Sequence, residues 1–163
     1  MTIEPVVVKL RSSLATMSAG SKAGFLAAFA DVHMKWHMSE MTGGIGKLNA
    51  APIGFLSFHH EVLSVYQARF AAGLVPGPMA NTVPSFRPVI MTATKAETFS
   101  HSLEDWHNSV HRNTKKYGAD FSDPVKNIRM LRFWQFHKFI DMQFAAWLKD
   151  SGSVYDDIDH TVV

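Results

Sequence analysis

An all-α fold, a bundle of four helices joined by long connecting loops, is what this sequence predicts. Apolar residues recur at helical spacing in four stretches, and glycine and proline clusters separate those stretches. The third observation is a repeated histidine pattern. His107 and His111 lie four apart and are followed by His137; His33 and His37 lie four apart and are followed by His59. Residues four apart on a helix share a face, so each pair aims two imidazoles at one point and a neighbouring helix brings the third. Two three-histidine sets predict a binuclear metal centre inside the bundle.

The chain of 163 residues is 47% hydrophobic and 18% charged, which predicts one soluble domain, residues 1–163, with room for a real core. The net charge of +2 is spread along the chain and Lys115-Lys116 is the longest basic run, so no nucleic-acid footprint is present. Cysteine is absent, which excludes disulfides, thiolate metal sites and cysteine nucleophiles together. Met1 to Val8 lacks the features of a secretory leader, and no apolar run approaches the ~18 residues of a membrane helix. A cytoplasmic protein that does not enter the membrane is expected.

Residues 1–17 read as an N-terminal arm, because Ile3 to Leu10 is short, β-branched and interrupted by Pro5. Ser18 is the expected N-cap of a first helix reaching about Ser39, with Phe25, Phe29, Val32 and Trp36 in helical register. The glycine-rich Met41 to Lys47 breaks it. That stretch is a turn and not a phosphate loop, which would need glycine where Met41 stands and serine or threonine where Leu48 stands.

A second helix is expected from Pro52 to about Ala72, with Leu56, His59, Leu63, Tyr66 and Phe70 on one face. Gly73 to Pro88 carries four prolines and reads as a long loop. Thr94 to Glu97 and Ser102 to Asp105 both resemble capping boxes, so the third helix starts at one of them and ends before Gly118. Asp123-Pro124 places an N-cap beside a first-turn proline and predicts a fourth helix to Lys149, with Gly152 beyond it. Residues 151–163 form a tail without clear periodicity.

Six neutral imidazoles favour particular metals. Imidazole suits copper, zinc and iron, whereas di-iron bundles draw on glutamates and Glu-x-x-His pairs that are missing at matching positions here. Two copper ions are therefore expected, each held by three histidines and alternating between Cu(I) and Cu(II) with open positions for O2.

At these residues the chain resembles the type 3 copper family of tyrosinases, catechol oxidases and hemocyanins. Ser102-Leu103-Glu104, His107-Asn108 and His111 are similar to the second-copper signature, and Phe133-Trp134, His137 and Ile140-Asp141 to the segment carrying its third ligand. Phe55-Leu56 and Phe58-His59 resemble the third-ligand segment of the first copper, while His33 and His37 resemble the hemocyanin form of that site. The chain departs from the family in four ways. Ala50 stands where tyrosinases place a middle ligand, and Lys126 to Arg132 separates Asp123-Pro124 from Phe133-Trp134 as an apparent insertion. No cysteine is available for a thioether link, and a shielding domain is not expected.

The resemblance implies a copper oxidase or monooxygenase that uses O2 to convert phenols, catechols or aminophenols to o-quinone-type products. Its metal ligands would be His33, His37, His59, His107, His111 and His137, with Glu104 and Asn108 as the proton-handling pair. A hemocyanin-like reversible O2 carrier shares the same ligands and is the alternative; copper storage or transfer is a third reading. The implied partners are O2, a small aromatic substrate and a copper-delivery protein. His60 competes with His59 as ligand, since adjacent residues on a helix cannot both face inward. Asp141, one turn after His137, is expected to orient a ligand ring. His101 and His160 are expected in solvent, and the tryptophans and methionines in the core. Arg112 stands beside His111, at the expected approach to the metals.

Overall fold

The computed structural model describes residues 5–38, 54–77 and 92–155. The glycine-rich turn at 41–47, most of the loop from Gly73 to Pro88, Pro52 and His160 lie outside them. The fold is all-α, and the described residues contain no strand. Helices α1 (Pro5–Met17), α2 (Lys22–His37), α3 (Gly54–Phe70) and α4 (Ala96–Arg112) are followed by two single turns, α5 (Thr114–Tyr117) and α6 (Ala119–Ser122). A 3-10 turn (Asn127–Arg129) then leads into α7 (Leu131–Ser151). No helix among the described residues is long and apolar enough to cross a membrane.

The N-terminal segment corrects the expected extended arm. It is helix α1, and its Val7, Leu10 and Leu14 are fully buried. These residues recur at helical spacing and pack toward α3 and α2; burial of that stripe outweighs the weak helical preference of three consecutive valines. Ser18 closes α1 and does not cap α2: its N–H donates to Leu14 O and its Oγ to Ala15 O. The cap of α2 is Ser21, whose Oγ accepts from Gly24 N at 3.1 Å.

Helix α3 is central, with α1, α4 and α7 all against it, so Gly54 through His59 are buried without interruption. Helix α4 begins at the first of the two capping-box sequences, although no side chain caps it. Asp123-Pro124 does not start the last helix as expected. Asp123 Oδ1 accepts from Val125 N at 2.9 Å and Lys126 N at 3.3 Å, which closes a local turn and diverts the chain through the 3-10 turn before α7 begins. Helix α7 ends at Gly152, whose φ of +68° supplies the left-handed residue that lets Ser153 N reach back to Leu148 O.

The core is aromatic. Trp134 stacks on Tyr66 at 3.6 Å and Trp36 on Phe58 at 4.5 Å, joining α7 to α3 and α2 to α3. Trp134 and Trp147 satisfy their indole N–H groups on Ile128 O and Ala93 O. At the start of the long loop Gly77 N donates to Gln135 O, and a Cβ on Gly77 would stand 2.8 Å from Gln135 Cβ, so only glycine lets the loop cross α7 there. Glu61, 4% exposed, accepts from Arg11 Nε at 2.8 Å and from Tyr155 OH at 3.0 Å. This clasp ties α1 and the segment after α7 to α3.

Candidate metal centre

Helices α2, α3, α4 and α7 each bring histidines to one region of the core. Apolar periodicity decides which face of each helix turns inward, and the histidines continue that face: Phe29 precedes His33, Phe55 precedes His59, Leu103 precedes His107 and Phe133 precedes His137, each by four residues. His33, His59, His107 and His137 are all 5% exposed or less. His111 is half-buried, and His37 opens to the surface.

Five of the six expected ligand rings are held through Nδ1. His33 donates to Pro124 O at 2.9 Å, His59 to Phe55 O at 2.8 Å, His111 to Phe121 O at 2.7 Å and His137 to Phe133 O at 2.8 Å. A carbonyl oxygen only accepts, so each of these four rings carries its proton on Nδ1 and leaves Nε2 as a lone pair. The fifth, His107 Nδ1, meets Asn108 Oδ1 at 3.1 Å.

The free nitrogens converge. His107 Nε2 lies 3.1 Å from His137 Nε2, and His33 Nε2 lies 3.1 Å from His37 Nε2. His59 Nε2 is buried with no hydrogen-bond partner. With Nδ1 of both rings donating, the His107 and His137 Nε2 lone pairs face each other at 3.1 Å and repel unless a cation joins them, and the buried unpaired acceptor of His59 has the same need; His37 is not held through Nδ1, so its Nε2–H can donate to His33 in the metal-free chain. The donor set therefore fits a metal ion. Ligand nitrogens of His33, His37 and His59 lie within 4.8 Å of one another, as do those of His59, His107 and His137.

The first set is the one expected. In the second, His59 occupies the close position expected of His111, whose ring lies beside His107 at 4.4 Å and is turned onto Phe121 at 4.3 Å by its hydrogen bond. The structure turns His59 into the cluster. His60 faces away, and its Nδ1 meets Asp141 Oδ1 at 2.6 Å. This corrects the expected role of Asp141, because the orienting oxygen of His137 is the Phe133 carbonyl.

Burial keeps the cluster neutral. Loss of solvent and then the neighbouring imidazoles hold His33, His107 and His137 well below the usual histidine range. Burial lowers His37 and His111 to about 4 and His59 to about 3. At His60 burial pulls the same way, but the hydrogen bond and charge of Asp141 outweigh it and raise the value. An aromatic sheath excludes water: Phe133 lies 4.0 Å from His137, Phe55 4.8 Å from His107 and Trp36 5.0 Å from His59.

A cavity of about 240 Å³ opens beside the cluster. His37, His107 and His111 form its metal side, and Asn108, Arg112, Ser122, Pro124 and Asn127 the rest. Among the described residues that line it, Arg112 alone is permanently charged. Asn108 thus stands in the site, whereas Glu104, one turn earlier and half-buried, does not line the cavity; burial raises its carboxyl. His101 is exposed.

The sequence reading missed Phe121, Pro124 and Asn127. Their contribution is main-chain carbonyls and one buried amide, for which no residue pattern exists; the additional residues after Asp123-Pro124 were the available signal. A scan of protein-family models and searches of curated proteins and of solved structures return no match to this chain.

Proposed function

We propose that this protein is a short relative of the type 3 copper proteins and acts as an oxidase or monooxygenase on phenols, catechols or aminophenols. The observation that carries the reading is the histidine cluster itself: six imidazoles from four helices, five oriented through Nδ1, with no carboxylate or thiolate in either close set. All-imidazole sites suit copper better than the hard cations. His33, His37 and His59 would hold one ion; His107 and His137 would hold the other, completed by His111, whose ring rests on Phe121, while His59 stands between the two close sets. Bound copper supplies the redox couple and the open coordination positions that O2 requires.

The chain supplies everything else. Phe55, Phe133, Phe136 and Trp36 keep the centre dry and its imidazoles neutral, so that their lone pairs stay available as ligands. Carbonyls of Phe55, Phe121, Pro124 and Phe133 fix the ring orientations. The cavity admits one aromatic ring, since ~150 Å³ of enclosed space already accommodates benzene, and here about 240 Å³ is present. That open cavity against His107 and His111 favours an enzyme over the alternative, a reversible O2 carrier, which gains nothing from a substrate-sized opening.

The test is to load the protein with copper, add O2 and measure oxygen consumption with phenols, catechols and 2-aminophenols. Turnover supports the oxidase. Reversible O2 binding without turnover favours the carrier, and tight zinc binding with no oxygen chemistry overturns both.

A further inference from the structure

The six rings do not divide evenly between two ions. Their ligand nitrogens form two close sets, His33 with His37 and His59, and His59 with His107 and His137, so His59 belongs to both and His111 to neither. His59 Nδ1 donates to Phe55 O, which leaves its only lone pair on Nε2, and one lone pair binds one ion. The two sets therefore compete for a single nitrogen.

They differ in what they need without metal. In the first set His37 Nε2–H can donate to His33 Nε2 at 3.1 Å while His33 Nδ1 donates to Pro124 O, so both nitrogens of His33 are satisfied. An ion entering there must break that bond and displace the His37 proton. In the second set His107 and His137 direct Nε2 lone pairs at each other at 3.1 Å, and His59 Nε2 is buried without a partner. All three rings are 5% exposed or less and are held through Nδ1 on Phe55 O, Asn108 Oδ1 and Phe133 O. An ion there breaks no hydrogen bond, relieves the opposed lone pairs and meets three donors already aimed.

We propose that His59, His107 and His137 form a one-ion site that fills first, and that a second ion enters only as His59 shifts to His33 and His37 and His111 replaces it beside His107 and His137. The inference rests on the reading of the cluster as a two-ion centre and adds the order in which that centre fills. Three neutral imidazoles with one position left open suit zinc or copper. His111 is the available replacement: its half-buried ring lies 4.4 Å from His107 and is held by one hydrogen bond, to Phe121 O. A half-loaded chain is then a stable state, and supply of the second ion decides when the centre is complete.

Zinc, which is redox-inert, tests the order without oxygen chemistry. Calorimetric titration of the metal-free full chain with zinc should show two steps, the first about a hundredfold tighter than the second, because the ions compete for one ligand. The double variant His37→Ala with His111→Ala removes a ligand from each set expected from sequence and leaves the proposed site whole. It should take one zinc ion with the first-step affinity of the wild type. Adding His59→Ala to it should weaken that step by more than the ~100-fold that loss of an orienting partner costs. Circular dichroism checks that each variant is folded, and one equivalent of cobalt(II) should give the same four-coordinate visible spectrum in the wild type and the double variant.

Loss of tight zinc binding in the folded double variant would overturn the proposal and return the centre to two separate three-histidine sites. So would two steps of equal affinity in the wild-type chain, a result that needs no variant. If the copper-loaded wild type holds two ions and consumes O2 while the double variant loses its tight ion, the loading order fails and the oxidase reading stands. One tight ion in both chains, with no second ion and no oxygen consumption, would instead overturn the oxidase reading and leave the one-ion site standing.

Discussion

His33 donates its Nδ1 hydrogen to the carbonyl oxygen of Pro124 at 2.9 Å, across 91 positions of sequence. Three residues earlier in the same strap, Phe121 O accepts from His111. One stretch, from α6 into the turn that follows it, therefore orients a histidine from each expected set, which makes ring orientation on α2 and α4 depend on a single stretch of backbone.

The first prediction is stoichiometry. Copper-loaded protein should contain two ions per chain by elemental analysis, His111→Ala about one, and His101→Ala two. Metal bound only by the folded chain stabilises it by ~4 kcal/mol at a thousandfold excess over Kd, which for a chain of this size raises the melting temperature by about 10 °C. An unchanged melting temperature on metal removal would show that the histidines do not join the helices through metal.

Acid should destabilise the metal-free protein. Burial lowers His37 and His111 to about 4 and His59 to about 3, while the unfolded chain takes up protons near the ordinary value of ~6.5. The contribution of these groups is thus fully present above pH ~6.5 and is lost as pH falls toward their folded values. Urea midpoints should be flat from pH 8 to 7 and drop between pH 6 and 4.5. His59→Gln should shallow that drop, and an unaltered slope would remove His59 as a source of it.

Asn108 and Glu104 should behave differently. Asn108 Oδ1 meets His107 Nδ1 at 3.1 Å, so Asn108→Ala should weaken metal binding about 10–100-fold, the usual cost of losing such a partner, while Asn108→Asp retains it. Glu104→Gln should leave metal content unchanged and lower phenol hydroxylation more than catechol oxidation. A phenol of pKa ~10 costs ~4 kcal/mol to deprotonate at pH 7, and a nearby base offsets part of that. Parallel loss of both activities in Glu104→Gln at full copper occupancy would remove it from proton handling.

The clasp of Glu61 with Arg11 and Tyr155 should affect stability alone. Tyr155→Phe removes a hydrogen bond to the buried Glu61 carboxylate and should cost ~1.5–3 kcal/mol, the range for bonds to charged groups. Chemical denaturation would read the loss, and copper content should stay at the wild-type value.

The sequence by itself determined the all-α class, the presence of four histidine-bearing helices and the inward direction of His33, His107 and His137, while leaving His59 and His60 as competitors. All of these rest on local periodicity: apolar residues and histidines share a 3.6-residue repeat, and a helix converts that repeat into one face. Tertiary structure alone decided the rest. It made Pro5–Met17 a helix, because burial of Val7, Leu10 and Leu14 against neighbouring helices outweighs the preference of its valines. It turned Asp123-Pro124 into a strap, because the Asp123 carboxylate bonds its own turn instead of capping a helix. It sent Asp141 to His60, and placed His59 with His107 and His137 in one close set of ligand nitrogens. The oxygens that orient His33, His59, His111 and His137 are main-chain carbonyls, which every residue possesses, so their selection is a matter of packing geometry and has no signature in the order of side chains.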